Sequence, residues 1–209
     1  MNWWQGGQGV VLAVLVLINL SFYFAFERTH PSAGQLIVVA DLSAFCIALR
    51  SIFSFVPYFN PVMAVICLSG AALGSLNGFL TGSLTALLSN FIFGQGPWTL
   101  YQMTSWGLLG AVFGLRKIDP AKNRKFSIPL ACAASVPLIV LVTGPISDLS
   151  SVFMLGVGDI KTFFAVLAGG FVFNLTLAAS TVITIAVFSK PFLFALNRVI
   201  LRLKKEPKS

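Results

Sequence analysis

Apolar residues run through this chain in blocks about as long as a bilayer is thick, and polar residues gather in the short breaks between them. A first block from about Val10 to Phe26 and a second from about Leu36 to Phe55 each approach the roughly 20 residues that a helix needs to cross about 30 Å of hydrocarbon. From Pro61 to Phe93 the chain stays apolar for too long to be one helix. Its middle reads SGAALGSLNGFLTGS, and the glycines with Asn77 predict a tight turn there between a third and a fourth helix. Further blocks run from about Tyr101 to Leu115, Ile128 to Ile146 and Thr162 to Phe188. The pattern predicts seven spans, or six if the first block does not cross.

Composition agrees with that reading. Of 209 residues, 57% are hydrophobic and only 10% charged, and the mean hydropathy is +0.91, which takes the chain out of the range of soluble domains and into that of integral membrane proteins. The first block lacks a basic start and a small-residue cleavage site, so it is expected to stay as a helix rather than be removed as a signal. Cys46, Cys67 and Cys132 lie inside apolar blocks without the spacing of a zinc or redox site and read as small buried hydrophobes.

Charge sets the direction of threading. The segment LRKIDPAKNRK and the tail KPFLFALNRVILRLKKEPKS hold most of the 14 basic residues, and such segments stay on the cytoplasmic side. Counting back through seven spans puts the C-terminus inside and the N-terminus outside, with every Lys and Arg on the cytoplasmic face except Arg50 and Lys161. The net charge of +8 is then a topology signal, with some attraction to anionic lipid, and not a nucleic-acid footprint. The loops left outside are Ser54 to Asn60, Gly94 to Thr99 and Ser147 to Asp159.

The second outer loop and its flanks read LLSNFIFGQGPWTLYQM, dense in amides, hydroxyls and aromatic rings and free of charge. Gly94 and Gly96 permit backbone that a helix does not adopt, Pro97 stops a helix and Trp98 suits a water boundary. An interfacial turn with an aromatic anchor explains part of this. Asn90, Gln95, Thr99 and Gln102 beside Trp98, Tyr101 and Trp106 are also what a pocket for a polar, ring-containing solute requires.

The stretch SNFIFGQGPWTLYQMTSWGLLGAVFGL, with NPVMAVICLSGAALGSLNGFLTGSLTALL and ALRSIFSFVPYFNPV before it, resembles the membrane-embedded substrate-binding (S) components of energy-coupling factor transporters, in the branch associated with cobalamin and related corrinoids or their precursors. The likeness covers about Leu36 to Leu115 and weakens toward the end; Leu100 and Tyr101 stand where that branch has Pro and Trp. The resemblance implies an all-α integral membrane protein of a prokaryotic cell membrane: a six-helix core over residues 36–190, an extra N-terminal transmembrane helix and cytoplasmic loop over 1–35, and a basic cytoplasmic tail over 191–209. It implies high-affinity capture of a vitamin-like solute from outside, without chemistry and without a permanently bound cofactor or metal. Delivery would follow by toppling on a transmembrane coupling protein that carries two ATPases, so ATP acts only through partner subunits, and the sequence has no GxxxxGK[ST] of its own.

On the same likeness, solute contacts are expected from Arg50, Tyr58, Asn60, Asn90, Gln95, Trp98, Tyr101, Gln102 and Trp106, with Asp148 and Asp159 on a lid made by the last outer loop. Ala40, Ala44 and Ala48 repeat every four residues and stack on one helix face, which lets another helix approach closely; family members meet the coupling protein through such a pattern. Internal packing is the other use for it. Gly70 with Gly74, and Gly78 with Gly82, are read mainly as internal helix contacts. Arg50 reads equally as a snorkelling anchor. Asp41 can pair with Arg116 or Lys117, and Lys161 with Asp159.

Other classes are weaker. GVGD, Gly156 to Asp159, matches the GxGD signature of intramembrane aspartyl proteases, which need a second carboxylate; Asp41 is the one candidate and falls near the opposite side of the bilayer. A serine protease would need His30, the single histidine, beside Ser89. A passive channel, or an S component for another small vitamin or a nucleoside-like precursor, remains a further reading.

Overall fold

In a computed structural model the described residues, 3–56, 59–115, 127–157 and 159–203, are helical with no strand among them. They form α1 (Trp3–Glu27), α2 (Ala33–Phe53), α3 (Val62–Leu73), α4 (Ser75–Phe93), α5 (Trp98–Gly114), α6 (Ile128–Leu138), a π-helical turn (Ile139–Thr143), α7 (Gly144–Met154) and α8 (Ile160–Leu203). Among the described residues five helical segments are long and apolar enough to cross a membrane: Gly7–Glu27, Ala33–Phe53, Ser75–Phe93, the continuous Ile128–Met154, and Ile160–Arg202.

Polarity is distributed as hydrocarbon requires. Large apolar side chains such as Leu17, Phe24, Ile52, Phe91, Leu141 and Val172 face outward, while Ser69, Thr81, Thr85, Ser89 and Thr181 are fully buried. Most of these inward hydroxyls donate to a carbonyl one turn back, as Ser69 does to Val65 (2.7 Å) and Thr85 to Thr81 (2.6 Å), so they need no water.

α3 forms the centre: Val62 through Ala72 is buried all round, against α4, α5, α8 and α2. At 1.5 Å per residue its 12 residues reach only about 18 Å, so the third block does not itself match the bilayer thickness. The turn after it lies three residues before Asn77, at Gly74, whose φ of 95° is closed to side chains with a Cβ. Asn77 instead donates from Nδ2 to the Leu73 carbonyl (3.0 Å), capping α3. Either side of Gly74 the helices close on glycine: a Cβ on Gly78 would overlap Gly70 and the Gly110 carbonyl, and a Cβ on Gly110 would overlap the Gly78 carbonyl. Helices α3, α4 and α5 therefore meet backbone to backbone, the contact that small residues permit in membranes.

Three expectations need correction. The sixth block continues past Ile146, because the π turn carries the helix on through α7 to Met154. Pro137 and Pro145 flank that turn, each removing a backbone donor and crowding the turn before it; the Gly144 amide bonds the Ile139 carbonyl, five residues back. The outer "lid" Ser147–Asp159 is therefore mostly helix, and only 155–159 lie outside α7 and α8. Third, residues 191–203 are not a separate tail. They continue α8, whose 44 residues span about 66 Å, because Pro191 is followed by apolar side chains that pack: Leu193 and Leu196 sit on Val38 and Leu42 of α2 and Leu68 and Ala72 of α3.

Ser32 opens α2 with a capping box to Gln35. Phe26 at the end of α1 packs on Val39 and Phe79. One end of the bundle thus collects the α1 C-terminus, the starts of α2 and α4 and the ends of α3 and α8. The opposite end collects the α2 and α4 C-termini and the α5 N-terminus.

Candidate functional site

Arg50 lies in the last turn of α2. Val39, Ser43, Cys46 and Arg50 recur at spacings of four, three and four, which puts them on one helix face, and Val39, Ser43 and Cys46 are buried. Arg50 is therefore aimed into the bundle and not out toward headgroups. Its Nη1 donates to Ser89 Oγ and to Asn90 Oδ1 (2.9 Å for the latter) on α4. The guanidinium also lies 4.6 Å from the Phe93 ring centroid and 5.1 Å from that of Trp106, within the range of cation–π attraction.

Asn90 is the hub. It is 1% exposed; its Oδ1 accepts from Arg50, and its Nδ2 donates to Thr99 Oγ1 (3.0 Å) and Gln102 Oε1 (2.9 Å) on α5. Thr99 in turn donates to Gln95 Oε1 (2.9 Å), and Gln95 Nε2 donates to the Leu87 carbonyl (2.9 Å). Gly94, with φ 102°, ends α4 and lets the chain reverse so that Pro97 can start α5. Among the described residues this single network joins α2, α4 and α5 at one end of the bundle.

The other predicted contacts are placed differently. Trp98 folds over its own loop, with Nε1 donating to the Gly94 carbonyl (3.3 Å) and the indole against Gly96. Trp106 is buried in the core and shares the Arg50 cation. Tyr101 is fully buried beside Phe153 of α7, at 6.3 Å between ring centroids, and its hydroxyl has no partner among the described residues. Asn60 holds the entry to α3: its backbone amide donates to Ser180 Oγ (2.8 Å), and its Oδ1 accepts from the Val62 amide (3.0 Å). Tyr58 lies outside the described residues, as do Arg116 and Lys117.

Asp148 belongs to α7. Its Oδ2 accepts from Asn174 Nδ2 (2.8 Å), and Gly144 and Gly170 leave the room, since a Cβ on either would overlap Asn174 or Asp148 respectively. Beside it Ser147 Oγ lies 3.1 Å from Ser105 Oγ of α5. Asp159 is exposed and caps α8 by accepting from the Thr162 amide (2.9 Å); hydrogen bonding from the Thr162 side chain first, and from its amide second, holds the carboxyl below the ordinary value of 3.8.

Ala40, Ala44 and Ala48 are all exposed, roughly 100 to 180° around α2 from the buried stripe at 100° per residue. Nothing within the described chain covers them. Cys46 and Cys67 are buried and free.

Ser89 joins the site although it does not stand out among the many hydroxyls of the sequence. A second polar junction had a plainer signal, an amide in the middle of the first apolar block. Asn19 of α1 is buried and donates to Thr104 Oγ1 (2.6 Å) of α5, while its Oδ1 accepts from Ser83 Oγ (3.0 Å) of α4. Tyr23 reaches the same Ser83 at 3.0 Å, and Phe22 stacks on Phe79. This fixes α1 to the α4–α5 pair.

No family model matches this chain, and no curated protein or solved structure is significantly similar to it.

Proposed function

We propose that the chain is the substrate-binding subunit of an energy-coupling factor importer. On this reading it takes up a vitamin-like solute from outside, with cobalamin or a corrinoid or cobalamin precursor as the first choice and another small vitamin or nucleoside-like precursor as the second. The observation that carries the reading is the Arg50–Asn90–Gln102–Thr99–Gln95 network, which gathers at one end of an apolar bundle the motif residues that the family likeness selects. That end carries the motif loop, and the opposite end carries Arg198 and Arg202 of α8, which the positive-inside bias assigns to the cytoplasm. On this reading the first is the outer face, in a membrane that the family likeness takes to be a prokaryotic cell membrane. The exposed Ala40, Ala44 and Ala48 face supports docking on a coupling protein, and energy comes from that protein's ATPases.

A GxGD protease is disfavoured by distance. Asp41 lies in the half of α2 that packs near Leu193 and Leu196, whereas Asp159 precedes Ile160, and about 50 Å of α8 separates those levels at 1.5 Å per residue. Two carboxylates so placed cannot share a proton. A passive channel would show no tight solute binding.

The deciding experiment is calorimetry on the purified chain in detergent, without partners, against cobalamin, cobinamide, α-ribazole and unrelated vitamins. Saturable one-to-one binding below micromolar concentration to one of them is expected. Silence across the panel from folded protein removes the corrinoid assignment.

A further inference from the structure

We infer that Arg50 is the anion-recognition element of the site, so that the solute carries a carboxylate or phosphate group. The inference rests on the solute-binding reading above and narrows it to a chemical class. A guanidinium has five N–H donors in a rigid fork. Here Nη1 makes both of the hydrogen bonds, to Ser89 and Asn90, and both acceptors are neutral. Nε and Nη2 donate to no described residue, and neither is among the sealed, unpartnered atoms. The accessible edge is thus the one that binds a carboxylate or phosphate through two parallel hydrogen bonds.

No acidic side chain among the described residues lies within ion-pair distance of Arg50. A cation held in an apolar setting without a counter-charge is costly, and neither the α2 C-terminus nor the rings of Phe93 and Trp106 supply a full negative charge. A snorkelling anchor would avoid that cost by pointing outward, and Arg50 points inward. Asn90, Ser89 and the two rings hold one edge of the fork fixed, which leaves the other preorganised for a ligand.

Two sources can supply such a group, a solute or a lipid headgroup, and the test separates them. Full-length protein carrying Trp3→Phe, Trp4→Phe and Trp98→Phe leaves Trp106 as the only indole, beside the cation. In uncharged maltoside micelles it is titrated with inorganic phosphate and with acetate at constant ionic strength. A saturable change in Trp106 emission with at least one of them is expected, lost in Arg50→Gln and roughly tenfold weaker in Arg50→Lys, which keeps charge but not the fork. Arg50→Gln should unfold at the same or a higher temperature, because it removes an uncompensated charge. A flat titration of folded protein, or an Arg50→Gln variant that loses stability while the anion response persists, overturns the inference.

The same titration in phosphatidylglycerol vesicles should be unchanged; a response lost there means that lipid phosphate already fills the edge and overturns the assignment to a solute. Calorimetry with α-ribazole and its 5′-phosphate completes the test. Preference for the phosphate by roughly tenfold or more, abolished in Arg50→Gln, supports the inference. Equal affinities in both proteins overturn it and leave the solute-binding subunit standing. An anion response with neither compound bound keeps Arg50 as the anion site and removes these two compounds as cargo.

Discussion

At the scale of single residues, Asn90 holds three partners at once, and its loss takes a hydrogen bond from each. Asn90→Leu removes one of the two acceptors of Arg50 and the donor to Thr99 and Gln102, and unpaired polar groups in a bundle cost about 1–3 kcal/mol. Thermal unfolding in detergent should fall accordingly, and solute affinity should fall with it. Gln95→Ala should do less on both counts, because Gln95 is exposed and ties only Thr99 and the Leu87 carbonyl; the reverse order would remove Asn90 from the centre of the site. The polar richness of SNFIFGQGPWT was legible in the sequence, but the division of labour within it was not. Gln95 and Trp98 look like solute contacts by type, yet Gln95 ties α4 to α5 and Trp98 bonds within its own loop. Arg50 and Asn90 are 40 residues apart, and a hydrogen bond over that separation leaves no trace in local pattern.

At the scale of helices, the apolar blocks were readable because hydrocarbon tolerates little else, whereas their ends depend on single backbone events. One glycine at positive φ put the α3–α4 break at Gly74, and two prolines with a π turn between them extended the sixth span through Asp148. Glycine spacing was legible as internal packing, and the structure supplies its partner, α5. Gly110→Leu should be among the most disruptive single changes, at about 1–3 kcal/mol or more for overpacking against backbone that has no rotamer to give. Gly9→Ala, where a Cβ meets nothing within 4 Å, is the matched control. Equal unfolding temperatures for the two variants would mean that α4 and α5 are less closely joined than they appear here.

At the scale of the whole molecule, the chain presents one face of small residues on α2 and buries its polar junctions elsewhere. If that face is the docking surface, Ala44→Trp leaves solute binding by the isolated chain intact and abolishes ATP-driven uptake in cells that carry the coupling module. Loss of both would return the stripe to internal packing. The alanine period was legible in the sequence; its exposure was not, since period alone does not say which side of a helix faces the bundle. The buried α3 has a consequence for how the protein is made. With only 12 residues and no lipid-facing side, it is too short to be threaded into the bilayer as a span of its own, so it must enter paired with α4 as a hairpin about Gly74. Its glycine contact with α5 forms only after about forty further residues have left the ribosome, as the Gly70-to-Gly110 separation requires. The middle of the bundle is therefore synthesised early and closed late, and a pause in translation between α4 and α5 would leave the helix that is too short to span the bilayer waiting for its partner.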